Sequence, residues 1–158
     1  MHAMSFVIGI LAVCSFFVEP AMAQRFGTVV PMSARDAATY YVRGEISGIG
    51  GVDFMVDTGS GYTTINEDTL RLLLLREQAR YVSNLEAVLA DGQRLQVPVY
   101  SLRSVTIGDR CRIENVEAAV LPGKTRLILG LSALRKAGPI IFSFDPPELV
   151  LSDCAASS

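Results

Sequence analysis

Histidine is almost missing from this chain, whose 158 residues hold one, His2. That residue lies in a segment expected to be removed. A Ser-His or Cys-His catalytic pair and any histidine-ligated zinc site are thereby excluded from the rest of the chain. Cysteine is nearly as scarce, with three in all. Cys14 lies in the same N-terminal segment, which leaves Cys111 and Cys154, too few ligands for a metal site. Neither sign of charge is in surplus: 14 basic and 16 acidic residues give a net charge of -2, so the chain carries no electrostatic footprint for nucleic acid. No apolar run reaches the ~20 residues a membrane-spanning helix needs.

What is present fits one compact domain behind a leader. Phe6 to Val18 is an uncharged, apolar stretch with Ser15 its one hydroxyl residue, followed by Glu19-Pro20 and then Ala21-Met22-Ala23 before Gln24, which has the small-x-small form of a signal-peptidase site. Residues 1–23 are therefore expected to be a signal peptide, although His2 stands where such leaders carry Lys or Arg. Cleavage leaves no stable membrane span, and export most naturally ends in the periplasm; retention of residues 1–23 as an anchor is the rival expectation. In such a compartment Cys111 and Cys154 can pair. Two free thiols and a bond between chains are the alternatives. Residues 24–38 show no clear pattern and read as a linker or N-terminal arm, ahead of a domain over 39–158.

From residue 39 onward the pattern is mostly β. Tyr40–Ile46 and Val52–Val56 alternate like strands around the glycine-rich reversal Ser47–Gly51. Thr63-Thr64-Ile65 is extended, and Asn66 can cap a helix running through Asp68 to Arg80, with Leu70, Leu73, Leu74 and Glu77 on one face. A second hairpin over 86–97 turns at Asp91-Gly92. Strands follow at Leu102–Ile107, Ile113–Leu121, Leu127–Leu129, Ile140–Phe144 and Leu149–Leu151. Turns separate them at Gly108-Asp109, Pro122-Gly123 and Pro146-Pro147, and Ser132–Ala137 is one further short helix. Short strands at such spacing describe an all-β, barrel-like domain.

The richest segment is Phe54-Met55-Val56-Asp57-Thr58-Gly59-Ser60, an apolar strand that delivers one carboxylate into a glycine turn. Leu127-Ile128-Leu129-Gly130 echoes it near the end of the chain without the acid. Asp53, four residues before Asp57, shares its strand face. It is either a second carboxylate near the cleft or, more simply, a solvated strand residue.

The ordered set of an apolar-apolar-Asp-Thr-Gly-Ser strand end, a glycine-centred hairpin at Ala90-Asp91-Gly92, Ile128-Leu129-Gly130, a short helix and closing strands resembles the retropepsin-like aspartic proteases. The likeness is to their single-domain, exported bacterial members and spans about residues 39–152. It implies a closed acid-protease barrel, one lobe per chain, with one or two short helices. Asp57 matches the catalytic aspartate. Gly59 matches the residue whose N–H supports the carboxylate, and Thr58 the threonine that hydrogen-bonds across a dimer. Gly130 matches the glycine packed against this loop, and Ala90, Asp91 and Gly92 fall at the flap over bound peptide. Many single-domain members carry alanine where this chain has Ser60, whose hydroxyl is expected to donate to the carboxylate and favour its charged form.

Amide hydrolysis by this route needs one carboxylate to activate water and another to protonate the leaving nitrogen. With one Asp-Thr-Gly loop, the resemblance implies a homodimer acting on polypeptide substrates without cofactor or metal. The alternative is a peptide-binding or scaffold module on the same fold without turnover.

Overall fold

The computed structural model describes residues 27–36, 38–88 and 92–154. The expected signal peptide and the flap residues Ala90 and Asp91 lie outside them. Ten strands run in the order β1 (Thr28–Arg35), β2 (Thr39–Ile46), β3 (Gly50–Val56), β4 (Thr63–Asn66), β5 (Ala79–Val88), β6 (Arg94–Ile107), β7 (Cys111–Leu121), β8 (Ile128–Leu129), β9 (Ile140–Phe144) and β10 (Pro147–Leu151). Two short helices interrupt them, α1 (Glu67–Leu75) after β4 and α2 (Leu131–Leu134) after β8, the second continuing as one 3-10 turn over Arg135–Ala137.

The strands hydrogen-bond in the order β5-β6-β7-β4-β8-β3-β2-β1-β10-β9, and a further pairing of β6 with β2 closes the run from β6 to β2 into a ring. Phe54, Ile46, Ile65, Leu102, Ile107 and Leu129 are fully buried within it. Each such side chain contributes roughly 1.5–3 kcal/mol relative to exposure. The all-β, closed-barrel expectation matches this architecture.

The strands read separately at 94–97 and 102–107 are one continuous strand, β6, and three further local readings differ from the structure. The helix after Asn66 stops at Leu75, well short of Arg80. Asn66 does cap it, its side chain accepting from the Thr69 N–H at 2.9 Å, and Glu67 and Asp68 favour the positive helix start. At the other end Glu77 takes a left-handed φ of 54°, while Gln78 N–H donates to Leu73 O (2.8 Å) and Glu77 N–H to Leu74 O (3.2 Å). That bond pair is a Schellman ending without its usual glycine, so no sequence signal marks it. The freed residues 79–88 become β5. Of the proposed apolar face only Leu73 is fully buried, and Leu74 is 45% exposed.

The second difference is at residues 24–38. Thr28–Arg35 is a strand of the sheet, pairing with β10 over Thr28–Pro31 and with β2 over Met32–Arg35. Its alternating Val30 and Met32 are buried, but Pro31 and the mixed polar residues around them obscure the alternation. Third, β10 starts at Pro147, a residue read as part of the preceding turn. Cys111, at the start of β7, and Cys154, just beyond β10, are joined in a disulfide.

Candidate active site

β3 ends at Val56, and the chain turns through Asp57-Thr58-Gly59-Ser60 before returning as β4. β8 lies between the two, parallel to β3 (Met55 opposite Ile128, Val56 opposite Leu129) and antiparallel to β4 (Thr64 opposite Ile128). The acid-bearing turn is thus stretched across the end of a third strand. Backbone bonds fix it there: Asp57 N–H to Leu129 O at 3.2 Å, Leu131 N–H to Ser60 O at 2.9 Å, and Met55 N–H to Leu127 O at 2.9 Å. Gly130 is where the two segments meet. A Cβ on it would lie 2.1 Å from Tyr62 O and 2.9 Å from Ser60 O, so only glycine permits the approach.

Asp57 is half-buried at the mouth of this turn, and Gly59 N–H donates to its Oδ1 at 2.9 Å. Thr58 and Gly59 are exposed. Ser60 corrects an expectation. Its hydroxyl donates to Tyr62 O at 2.7 Å, within the turn, instead of to the carboxylate. The group that braces the turn is Ser132 of α2, which the sequence does not advertise. Its Oγ accepts from Thr63 N–H (2.7 Å) and donates to Glu117 O (2.6 Å), tying α2 to β4 and β7.

Asp57 and Thr58 open onto a cleft of about 450 Å³ walled by Tyr40, Met55, Phe142 and Phe144. Tyr40 meets Phe142 edge-on at 5.3 Å and Phe144 at 5.6 Å between centroids, and Phe144 is 69% exposed. Asp53 does not join Asp57. It pairs with Arg35 (2.6 Å) and Arg43 (3.2 Å), and those two guanidinium hydrogen bonds, Arg35's foremost, hold its carboxyl below the ordinary value. It is the solvated strand residue of the two alternatives. Of the flap residues, Gly92 has a φ of 83°, beside the Glu86–Arg94 ion pair (2.6 Å) that joins β5 and β6. No group of three or more metal-ligating side chains converges among the described residues. No helix among them is long and apolar enough to cross a membrane.

A closed β-ring, an Asp-Thr-Gly turn straddling a strand, and a glycine locked beneath that turn together define the retropepsin-like fold. The chain belongs to the family described as gag-polyprotein putative aspartyl protease, whose model matches residues 42–136. Among solved structures it is similar to a retropepsin-like aspartic protease from Rickettsia conorii, with a TM-score of 0.56 and 21% identity over 77% of this chain and 88% of that one. No curated protein matches the chain.

Proposed function

We propose that this protein is an aspartic endopeptidase whose catalytic pair is assembled from two copies of the chain, one Asp57 from each. The observation that carries the reading is the state of Asp57. It is a carboxylate at an open cleft, supported by the Gly59 N–H, with no second acid beside it among the described residues. Asp53, the next acid back along β3, lies about 13 Å away by strand rise and is occupied by two arginines. Two carboxylates sharing one proton are what the chemistry requires, so the second must come from another chain. Exposure of Thr58, Gly59 and Phe144 beside the cleft supports a surface that a second copy covers.

In the assembled pair, the ionised Asp57 takes a proton from water as its oxygen attacks the scissile carbonyl. The protonated Asp57 of the second copy hydrogen-bonds to the carbonyl oxygen. The tetrahedral intermediate then collapses as the leaving nitrogen receives a proton from the pair. Thr58, Gly59, Ser60 and Gly130 serve as the frame that keeps the two carboxylates in register, and the β5–β6 hairpin through Gly92 serves as the flap. The Cys111–Cys154 bond supports export to an oxidising compartment, the periplasm being the natural one.

The test is cleavage of a degenerate peptide library at acidic to neutral pH, with Asp57→Asn in parallel and the oligomeric state followed by sedimentation. Activity that requires Asp57 and rises with the dimer is expected. A confirmed dimer that binds peptides without cutting them would establish the non-catalytic peptide-binding module instead.

A further inference from the structure

Met55 separates the Asp57 cleft from a second cavity of about 400 Å³, and it lines both. The remaining walls of this second cavity come from the end of β7, the start of β8 and the segment joining them: Leu121, Lys124, Thr125, Arg126 and Ile128. Its surface is therefore apolar in part and cationic in part.

The two cations are uncommitted. Among the described residues neither Lys124 nor Arg126 forms an ion pair, a state they share with Arg76, Arg80, Arg103, Arg110, Arg135 and Lys136; what sets them apart is that both line one cavity beside the Asp57 cleft. Among the described residues Arg126 reaches only Tyr41 Oη at 3.4 Å and Met55 Sδ at 3.6 Å, which leaves most of its five N–H donors without a partner there. Between the two cations, Thr125 carries the one buried side-chain polar atom without a hydrogen-bond partner among the described residues, its Oγ1.

The segment holding these groups is fixed. Asn66 Nδ2 donates to Thr125 O at 2.9 Å, Gly123 N–H donates to Glu67 Oε2 at 3.1 Å, and Met55 N–H reaches Leu127 O at 2.9 Å. The charges are thus presented on an anchored backbone. The acid that touches this segment is Glu67, whose carboxylate is held by the Gly123 N–H and forms no ion pair with Lys124 or Arg126 among the described residues, while Asp53 on β3 is paired with Arg35 and Arg43.

We propose that this cavity is a subsite for an acidic side chain of the peptide substrate. Arg126 and Lys124 pair with the substrate carboxylate, and the methylene stem lies against Met55, Leu121 and Ile128. Met55 precedes Asp57 by two residues, about 7 Å along the strand, so the acidic residue falls within about three positions of the scissile bond. The inference rests on the protease reading for its place in the substrate, but the cavity can be tested without turnover.

Two measurements on the full chain decide it. In library cleavage, Asp and Glu are enriched within three positions of the cut. The double variant Lys124→Glu/Arg126→Glu shifts that enrichment to Lys and Arg, and lowers kcat/KM for a Glu-containing peptide by about tenfold or more. Arg71→Glu, a charge reversal on α1 away from the cavity, leaves the enrichment in place. In the second measurement, the Asp57→Asn protein binds an extended fluorescent Glu peptide about tenfold tighter than its Gln counterpart, a difference that shrinks with added salt and is lost in the double variant. Cleavage without acidic enrichment, or enrichment that survives the double variant, would overturn the subsite while leaving the protease intact. If no peptide is cut, the protease reading fails and binding judges the cavity alone: equal binding of the Glu and Gln peptides, or no binding of either, refutes it.

Discussion

Gly130→Ala is the substitution whose consequences can be worked furthest. Gly130 has φ -99° and ψ -175°, backbone that any residue adopts, so the added methyl brings no conformational penalty. Its cost is contact. The new Cβ would sit 2.1 Å from Tyr62 O, 2.5 Å from Tyr62 C and 2.9 Å from Ser60 O, all backbone atoms that cannot swing aside as a side chain would. To reach ordinary separations the Asp57 turn and the β8–α2 junction must part by about 1 Å. That movement strains the Leu131 N–H to Ser60 O bond and the Asp57 N–H to Leu129 O bond, which tie the same two segments together. Overpacking of about 1–3 kcal/mol plus about 1 kcal/mol for a weakened bond gives a loss of about 2–4 kcal/mol. For a domain of this size the melting temperature falls by roughly 10 °C. A carboxylate displaced by about 1 Å loses on the order of a hundredfold in kcat/KM. Thermal melting and peptide cleavage measure both. Gly61→Ala is the control: a Cβ there meets nothing within 4 Å, and no loss is expected. A Gly130→Ala protein that melts and cuts like the parent would refute the claim that this contact sets the turn.

Other perturbations follow from the same packing and charges. Glu77→Gly relieves a left-handed φ of 54° at the end of α1 and should raise stability by about 0.5–1 kcal/mol in urea unfolding. Reducing the Cys111–Cys154 bond, which closes a separation of 43 residues, should cost about 3–4 kcal/mol, seen as a lower melting temperature with reductant and in the double serine variant. Asp53 gives a pH dependence. Its folded-state pKa is held below 3.8 by Arg35 and Arg43, so its stabilisation is present above the unfolded value and is lost as pH falls through the lowered one. With the three side chains 36–68% exposed, that term is under about 1 kcal/mol. Asp53→Asn should therefore destabilise slightly at pH 7, with the gap from the parent closing below about pH 4.

What could be read in the sequence was what neighbouring residues encode. The alternation of β2, β3 and β7, the Asn66 cap and the Asp57-Thr58-Gly59 turn are each written within a few consecutive positions, whereas the single strand β6 reads as two pieces, 94–97 and 102–107, with Pro98 between them. Gly130 was legible as a partner of that turn through the family resemblance, since the apolar strand running into glycine by itself shows only an echo of the first strand. The helix ending at Leu75 was not, since Glu77 occupies a position where glycine would have announced the stop. Nor was the Ser60 bond. From sequence the hydroxyl could reach either the carboxylate or its own turn, and the choice of Tyr62 O follows from how β8 pulls the turn across itself.

Ser132 and Arg126 show the other limit. Ser132 braces Thr63 across 69 residues and Arg126 approaches Tyr41 across 85, and neither has a neighbour in sequence that hints at the meeting. Such pairs exist only once β8 has been placed between β3 and β4, because that insertion carries the 122–127 segment and α2 to the Asp57 end of the ring together. The same strand therefore fixes the turn that holds the acid and delivers the cations at the adjoining cavity. On the proposed protease and subsite, reaction and selectivity are coupled through β8 as a consequence. Within this frame, substitutions at Lys124 or Arg126 should alter which peptides are taken, whereas a disturbance at Gly130, one residue past β8, should lower cleavage of all of them.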